Sequence, residues 1–248
     1  MQEKVLVLHV KKGYEERARH IEQMLHEKGI EFEYVTDGDK PDITADILDH
    51  YFADQMHQVT AATSCALKHL YAYERILQNN WNGALILEDD MIFYKHFIPI
   101  FNKCMQECKE RELPNIFISF EDSSLHFVPK SQRKKGILLY PAKRDRFAGC
   151  YYISRECAQL IINYVATHKC HLPIDLFHKD LTVKASLPYY WCHPTIATQG
   201  THTGLYSSSI SEQSAKKTNY RKYTWKIKLA AVVNYCVAKR SLFSIIDS

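Results

Sequence analysis

Three consecutive acidic residues interrupt an apolar segment in the middle of the chain, and this segment constrains the fold most strongly. Residues 84–87 (ALIL) are followed by Glu88, Asp89 and Asp90, and apolar residues resume at Met91. A short, continuous apolar run is typical of a strand buried on both faces, as in a mainly parallel sheet. The acids would then lie at the carboxyl end of that strand, the edge where open α/β sheets bind ligands.

The clustering of three carboxylates has two interpretations, which the residues alone leave open. The acids repel one another, and a hard divalent cation such as Mg²⁺ or Mn²⁺ would relieve that repulsion because it prefers oxygen ligands. Such a cation commonly holds a phosphate as well. Alternatively, the acids form a solvated strand end or a helix N-cap, a position that Asp favours.

The N-terminal third of the chain predicts a β-α-β unit. Residues 4–10 read as a buried strand, residues 15–28 as an amphipathic helix and residues 31–35 as a second strand, which we expect to pair in parallel with the first. We also expect helices over 63–78, 97–109 and 155–165 and strands over 115–120 and 136–140. Residues 148–154 form a further apolar stretch. No Gly-x-Gly-x-x-Gly or P-loop signature occurs, so a glycine-cradled phosphate is not predicted.

Composition limits the class of protein. The chain has 248 residues, of which 46% are hydrophobic and 24% charged, as in soluble globular proteins with one large or two small α/β domains. Its eight cysteines form no Cys-x-x-Cys pair, which indicates reduced thiols rather than a disulfide scaffold. No signal peptide and no apolar run of about 20 residues is visible, so we expect a cytoplasmic protein.

The net charge of +4 is unevenly distributed. Residues 215–248 contain eight Lys or Arg and one acid (+7), which leaves 24 basic and 27 acidic residues (−3) for residues 1–214. We therefore expect one domain over 1–214 and a basic tail over 215–248, in which apolar residues share a helical face. Those residues are Trp225, Leu229, Val232, Cys236 and Phe243. Such a helix either lies on an anionic membrane surface or packs on the domain.

Five segments resemble, in order, glycosyltransferase family 25, which contains bacterial lipopolysaccharide and lipooligosaccharide galactosyltransferases and relatives of collagen galactosyltransferases. The resemblance extends from residue 4 to about residue 210, and it includes Cys65 and His69 upstream of the acidic block. The segments are 5–35, 64–77 (SCALKHLYAYERIL), 84–91 (ALILEDDM), 148–161 (AGCYYISRECAQLI) and 173–175 (PID). The chain departs from the family pattern at residues 61–64, which are Ala-Ala-Thr-Ser instead of Gly-Glu-Ile-Gly, and at Lys68, where the family has Ser.

The resemblance implies a GT-A-like α/β domain with a mainly parallel central sheet flanked by helices, in which a nucleotide-binding half adjoins an acceptor-binding half. It also implies an inverting, metal-dependent enzyme that moves a hexose, galactose from UDP-galactose, to a lipooligosaccharide or another glycan. The implied cofactor is Mn²⁺ or Mg²⁺. A lipid-linked acceptor would place the protein at the inner face of the cytoplasmic membrane, and no nucleic-acid partner is expected.

The resemblance also assigns roles to particular residues. Glu88 would approach the sugar nucleotide, Asp90 would bind the metal, and Asp89 would support both. His202 would be a further metal ligand, with His193 as the alternative. The remaining residues assigned to nucleotide binding are His9, Arg17, Asp37 and His69.

An inverting transferase needs one base that deprotonates the acceptor hydroxyl. Asp175 is the first candidate because it lies in the Pro-x-Asp segment that resembles the family. Asp122 is the second candidate, and Glu121 is held in reserve.

Two other functions remain open at this point. A phosphohydrolase would use a strand-end Asp as its nucleophile, but Glu88 occupies that position. A catalytically inactive glycan-binding domain could share the same fold. The basic residues Lys143, Arg144 and Arg146 either face a diphosphate or belong to a solvated loop.

Overall fold

The structure is a computed structural model, and it describes residues 3–113, 115–123, 126–144, 146–203 and 205–206. The predicted tail over 215–248 lies outside the described residues. Nine strands are present in the described ranges: β1 (Lys4–Leu8), β2 (Glu33–Val35), β3 (Gly83–Glu88), β4 (Met91–Phe93), β5 (Phe117–Ser119), β6 (Leu139–Pro141), β7 (Cys150–Ser154), β8 (Tyr189–Cys192) and β9 (Ala197–Gln199). The α-helices there are α1 (Glu15–His26), α2 (Ala45–Tyr51), α3 (Ala61–Gln78), α4 (Phe97–Glu110), α5 (Arg155–His168), α6 (Ile174–Lys184) and α7 (Gly200–Thr203).

Seven of these strands form a central sheet in the order β2-β1-β3-β7-β5-β8-β6. Strands β2, β1, β3, β5 and β8 run in one direction, whereas β7 and β6 run antiparallel to their neighbours. The predicted parallel pairing of the first two strands is confirmed, with Leu6 opposite Glu33. The expected α/β class with a mostly parallel sheet is therefore confirmed.

Helices cover both faces of the sheet. On one face, strand residues such as Leu6 and Ile86 pack with α3, α5 and α6; on the other face, Val7 and Leu85 pack with α1 and α4. Successive side chains of a strand point to opposite faces, so both sets become buried. Because helices cover both faces of β3, residues 84–87 are buried on either side of the sheet and form an uninterrupted apolar run.

The acidic block lies between two sheets and is not a free strand end. Asp89 and Asp90 form a turn between β3 and β4, and β4 pairs antiparallel with β9 in a separate two-stranded sheet. The backbone on both sides of the two aspartates is therefore held by strand pairing.

Several element boundaries differ from the prediction. The first strand ends at Leu8, and the second covers only Glu33–Val35. The aromatic segment over 188–194, for which no regular structure is predicted, contains β8. This strand lies between β5 and β6, so hydrogen bonds from both neighbours position it without a regular alternation of side chains.

All seven cysteines in the described ranges are free thiols. Within those same ranges, no helix combines the length and the apolarity needed to cross a membrane.

Candidate active site

Asp89 is held by two side chains, His9 and Arg17, at the carboxyl end of the sheet. Strands β1 and β3 are parallel with Leu8 opposite Glu88, which brings His9 next to Asp89. His9 Nδ1 lies 2.7 Å from Asp89 Oδ2, and Arg17 Nη1 of α1 lies 3.4 Å from Asp89 Oδ1. Two residues assigned to nucleotide binding therefore contact the acidic block, and the charge of Arg17 relieves part of its repulsion.

Glu88 faces two residues of α3. Cys65 and His69 are four residues apart, so they share one face of the helix. Cys65 Sγ lies 3.6 Å and His69 Nε2 lies 3.5 Å from Glu88 Oε1. Burial alone would raise the pKa of Glu88, but His69, the Cys65 thiol and Arg17 together lower it below its ordinary value. Glu88 is therefore ionised at neutral pH.

Asp90 is an almost fully buried carboxyl, 3% exposed, and one of its oxygens has no hydrogen-bond partner among the described residues. Burial and the nearby Glu88 charge raise the pKa of Asp90 to about 7. Its Oδ1 accepts no hydrogen bond within the described residues, and Arg17 Nη1 lies 3.9 Å from its Oδ2. A buried oxygen without a donor is costly, so this atom is suited to bind a ligand.

Glu121 adds a second buried carboxyl to the same cluster. It is fully buried, and burial together with the charge of Glu88 raises its pKa well above the ordinary value. Its Oε2 accepts a hydrogen bond from the Gly149 amide at 2.9 Å, whereas its Oε1 has no partner in the described part of the chain. A Cβ on Gly149 would lie 2.9 Å from this Oε2 and 2.6 Å from Met91 Sδ, so a larger residue there would displace the Glu121 carboxyl or its neighbours.

The oxygen atoms of this cluster fit a hard divalent cation. Asp90 Oδ1 and Glu121 Oε1 are buried oxygens without partners in the described ranges, and Mg²⁺ and Mn²⁺ prefer such oxygen ligands. Both oxygens of Asp89 already have side-chain partners, His9 and Arg17, which suits the supporting role assigned to it. Within the acidic block, Asp90 therefore has the oxygen atom best suited to hold such a cation.

The two candidate histidine ligands differ in position. His202 lies on α7, whose first residue, Gly200, donates its amide to the Asp90 carbonyl oxygen at 2.7 Å. Only its backbone is described, so its role as a ligand stays a prediction. His193 follows β8 and contacts the Tyr140 ring of the edge strand β6.

Asp37 belongs to a turn after β2 that is held by residues at which the chain departs from the family pattern. Lys68 Nζ lies 2.7 Å from Asp39 Oδ1 and donates to the carbonyl oxygens of Thr36 and Asp37 at 3.0 and 3.1 Å. Ser64 Oγ donates to the Gly38 carbonyl at 2.7 Å. The Asp37 side chain itself is exposed, near Lys11 and Arg75.

The base candidates Asp175 and Asp122 are both half-buried and both adjoin the acidic cluster. Asp175 lies in the first turn of α6, close enough that its charge, after burial and Glu88, contributes to raising the pKa of the Cys65 thiol. Asp122 follows β5, and its Oδ2 accepts a hydrogen bond from Tyr94 Oη at 2.8 Å. Its charge also contributes to the raised pKa of Glu121.

A buried chain of hydrogen bonds extends from His69 and was not predicted. Tyr151 Oη lies 2.6 Å from His69 Nδ1 and 2.6 Å from Tyr73 Oη. Tyr73 Oη also lies 2.7 Å from His178 Nε2. Burial lowers the pKa of His178 well below its ordinary value, so this imidazole is neutral. The only signal in the sequence is the four-residue spacing of His69 and Tyr73 on α3.

The basic residues of the loop before β7 are divided between surface and interior. Lys143 and Arg144 are exposed, whereas Arg146 is buried beneath the Trp191 ring at 4.7 Å. Arg146 donates to the carbonyl oxygens of His126 and Cys192 at 3.0 and 2.8 Å, and burial lowers its pKa to about 10. Arg146 therefore neither faces a diphosphate nor belongs to a solvated loop, because its guanidinium is buried and donates hydrogen bonds to backbone oxygens.

Comparison with known proteins gives one match that covers most of the chain. The sequence model of glycosyltransferase family 25 (LPS biosynthesis protein) matches residues 3–178. No curated protein matches the chain. Among solved structures, the crystal structure of A197 from STIV is similar with a TM-score of 0.41 and 12% identity, over 76% of this chain and 81% of that one. A likeness of that degree supports no conclusion on activity.

Proposed function

Because the chain belongs to glycosyltransferase family 25, we propose that it is an inverting, metal-dependent enzyme that moves galactose from UDP-galactose to a lipooligosaccharide or another glycan. The observation that carries the proposal is the buried carboxyl cluster at the end of β3. Two of its oxygens, Asp90 Oδ1 and Glu121 Oε1, have no partner in the described residues. Buried acids in this state favour a cation, and a sugar nucleotide brings one with its diphosphate.

The donor side is assigned to the acidic block and its neighbours. Asp90, with Glu121 beside it, would hold Mn²⁺ or Mg²⁺, with His202 as the proposed further ligand. The cation would neutralise the diphosphate and stabilise charge on the leaving UDP. The ionised Glu88 carboxylate would accept hydrogen bonds from the sugar nucleotide. The contacts of His9 and Arg17 keep Asp89 in place beside Glu88.

The acceptor side needs a carboxylate that is both ionised and reachable. Asp175 meets these requirements best: it is half-buried, and the Leu176 amide and the N-terminus of α6 stabilise its negative charge. Asp122 is reachable as well but already accepts a hydrogen bond from Tyr94. Glu121 is unsuited, because it is fully buried and an acceptor hydroxyl cannot reach it.

The proposal is tested by incubating the protein with a panel of UDP-sugars and measuring released UDP with and without Mn²⁺. We expect metal-dependent release, greatest with UDP-galactose, that Asp90→Asn abolishes without unfolding the protein. Asp54→Asn is the matched control, since Asp54 is exposed and Asn tolerates its left-handed backbone. Its activity should equal that of the wild type.

Two outcomes would contradict this assignment. Wild-type activity of Asp90→Asn at saturating Mn²⁺ would remove Asp90 from the metal site. Release of inorganic phosphate from a phosphomonoester, without UDP release from any donor, would favour the phosphohydrolase.

The base is identified by comparing Asp175→Asn with Asp122→Asn. A base acts in the transition state and not in donor recognition, so Asp175→Asn should lower the transfer rate by roughly 10²–10⁴-fold and leave UDP affinity unchanged. Asp122→Asn should have a much smaller effect on the rate. The transfer rate and the UDP affinity, the latter by calorimetry, are measured for both variants. A larger loss of transfer rate in Asp122→Asn than in Asp175→Asn would make Asp122 the base.

A further inference from the structure

Three potential metal ligands of different chemical type converge where α3 meets the end of β3. They are the Cys65 thiol, the His69 imidazole and the Glu88 carboxylate, and one ligand atom of each lies within 4.8 Å of the other two. The set differs from the Asp90 cluster, whose unpartnered atoms in the described residues are the carboxylate oxygens Asp90 Oδ1 and Glu121 Oε1. Sulfur and imidazole ligands favour Zn²⁺ over Mg²⁺ or Mn²⁺.

A second observation at this place concerns the orientation of His69. The side chain is fully buried, and its Nδ1 is engaged by Tyr151 at 2.6 Å. Its Nε2, which points toward Glu88, makes no hydrogen bond within the described residues. Metal-bound histidines commonly have this arrangement, with one ring nitrogen held by a neighbour and the other free for the metal.

The spacing of the ligand atoms also fits zinc. Zinc lies about 2.3 Å from sulfur and about 2.0–2.2 Å from nitrogen or oxygen, so two ligands at a tetrahedral angle are roughly 3.3–3.6 Å apart. The Sγ-to-Oε1 and Nε2-to-Oε1 distances are 3.6 and 3.5 Å. Cys65 Sγ and His69 Nε2 lie within 4.8 Å of each other, so an ion would draw these two atoms together, and the half-buried Cys65 leaves a route from solvent.

We propose that Cys65, His69 and Glu88 form a binding site for a thiophilic divalent cation of the Zn²⁺ class, separate from the oxygen ligands around Asp90. The three side chains leave a fourth coordination position for water. Since Glu88 also belongs to the donor site, this cation and the donor would compete. That consequence rests on the proposed function, whereas the binding itself does not.

The test uses the full-length, reduced, metal-stripped protein and Co²⁺ as a spectroscopic substitute for Zn²⁺. We expect a near-ultraviolet charge-transfer band from the Cys65 thiolate to Co²⁺ that saturates at a single equivalent and disappears when Zn²⁺ is added. Cys65→Ser should lose the band, and His69→Gln should weaken Co²⁺ binding by more than about tenfold. Circular dichroism establishes that each variant is folded.

Two control variants establish that the band comes from Cys65 and its neighbours. Cys157→Ala removes a buried thiol of α5 and should keep the band. Asp90→Asn should keep it too, so the result is independent of any loss of transferase activity. Absence of a band in the wild type, or an undiminished band in Cys65→Ser, would overturn the proposal and leave the three side chains as an internal hydrogen-bonding set.

Discussion

At the scale of single residues, Lys68 shows how one buried charge can hold a loop beside the site. Among the described lysines it alone is buried, at 3% exposure, and its ammonium group meets Asp39 and two backbone carbonyls. These contacts fasten the turn after β2 to α3. The departure from the family pattern at this position therefore has a structural role, namely the anchoring of a loop.

The first prediction at this scale is that Lys68→Met strongly destabilises the protein. It leaves the buried Asp39 without its cation, which costs about 3–5 kcal/mol of unfolding free energy. Lys184→Met is the control, since Lys184 pairs with Asp180 on the surface and its loss should leave the urea midpoint close to that of the wild type. Urea unfolding measures both.

A double variant isolates the ion pair from the other contacts of Lys68. Combining Lys68→Met with Asp39→Asn should cost less than the sum of the single changes, because no unpaired charge remains. Additive losses would show that the carbonyl contacts, and not Asp39, account for the effect.

At the scale of elements, the hydrogen-bonded chain from His69 to His178 joins α3, β7 and α6 behind the acidic block. It places four polar side chains, His69, Tyr73, Tyr151 and His178, in the buried interior. Each depends on its neighbour, since an unpaired buried polar group costs about 1–3 kcal/mol. The chain therefore couples the packing of α6 to the orientation of His69.

We predict that Tyr73→Phe lowers the free energy of unfolding by about 1–3 kcal/mol, because it removes a hydrogen-bond partner from both Tyr151 and His178. Tyr71→Phe is the matched control on the same helix, where the ring is half-buried against Tyr51. Its effect should be within about 0.5 kcal/mol, as for most surface changes. Equal stability of the two variants in urea would show that the hydroxyl chain contributes nothing.

The sequence predicts some elements well because their patterns do not depend on distant partners. Strand β3 is a continuous apolar run, and α3 has a clear helical stripe. Strands β8 and β9 are less visible, since each is positioned by neighbours far along the chain. Helix α6 begins at Ile174, but no helix is predicted there, since only Asp175 stands out in the sequence of this region.

The same reasoning applies to the candidate site. The acidic block and its neighbours His9 and Arg17 could be named, because a strand end and a family resemblance indicated them. The burial of Glu121 and the pairing of Tyr151 with His69 could not be predicted from the sequence. Those features depend on which strands lie side by side, and hydroxyl-to-imidazole pairs leave no periodic signal in the sequence.

At the scale of the whole molecule, the charge of the chain concentrates in a segment outside the described residues. Residues 215–248 carry +7, whereas residues 1–214 carry −3. A basic segment of this kind is attracted to anionic lipid headgroups, with about 1 kcal/mol for each Lys or Arg near the surface. We propose that it brings the enzyme to a lipid-linked acceptor.

We predict that the chain truncated after Ser214 remains folded and still releases UDP but no longer co-sediments with anionic liposomes at low salt. Neutral liposomes serve as the control, and neither form should bind them. Unchanged binding by the truncated form would contradict a membrane role for the tail. Unfolding on truncation would indicate that the tail packs on the domain.

The contacts of the candidate site join residues that lie far apart along the chain, and this affects when the site can exist during synthesis. His9 and Asp89 are 80 residues apart, His69 and Tyr151 are 82 apart, and Tyr73 and His178 are 105 apart. Contacts of such separation form late in folding, because long loops must close first. During synthesis the acidic block therefore emerges after its contacts His9 and Arg17, whereas Tyr151 and His178, which complete the hydrogen-bonded chain from His69, emerge much later.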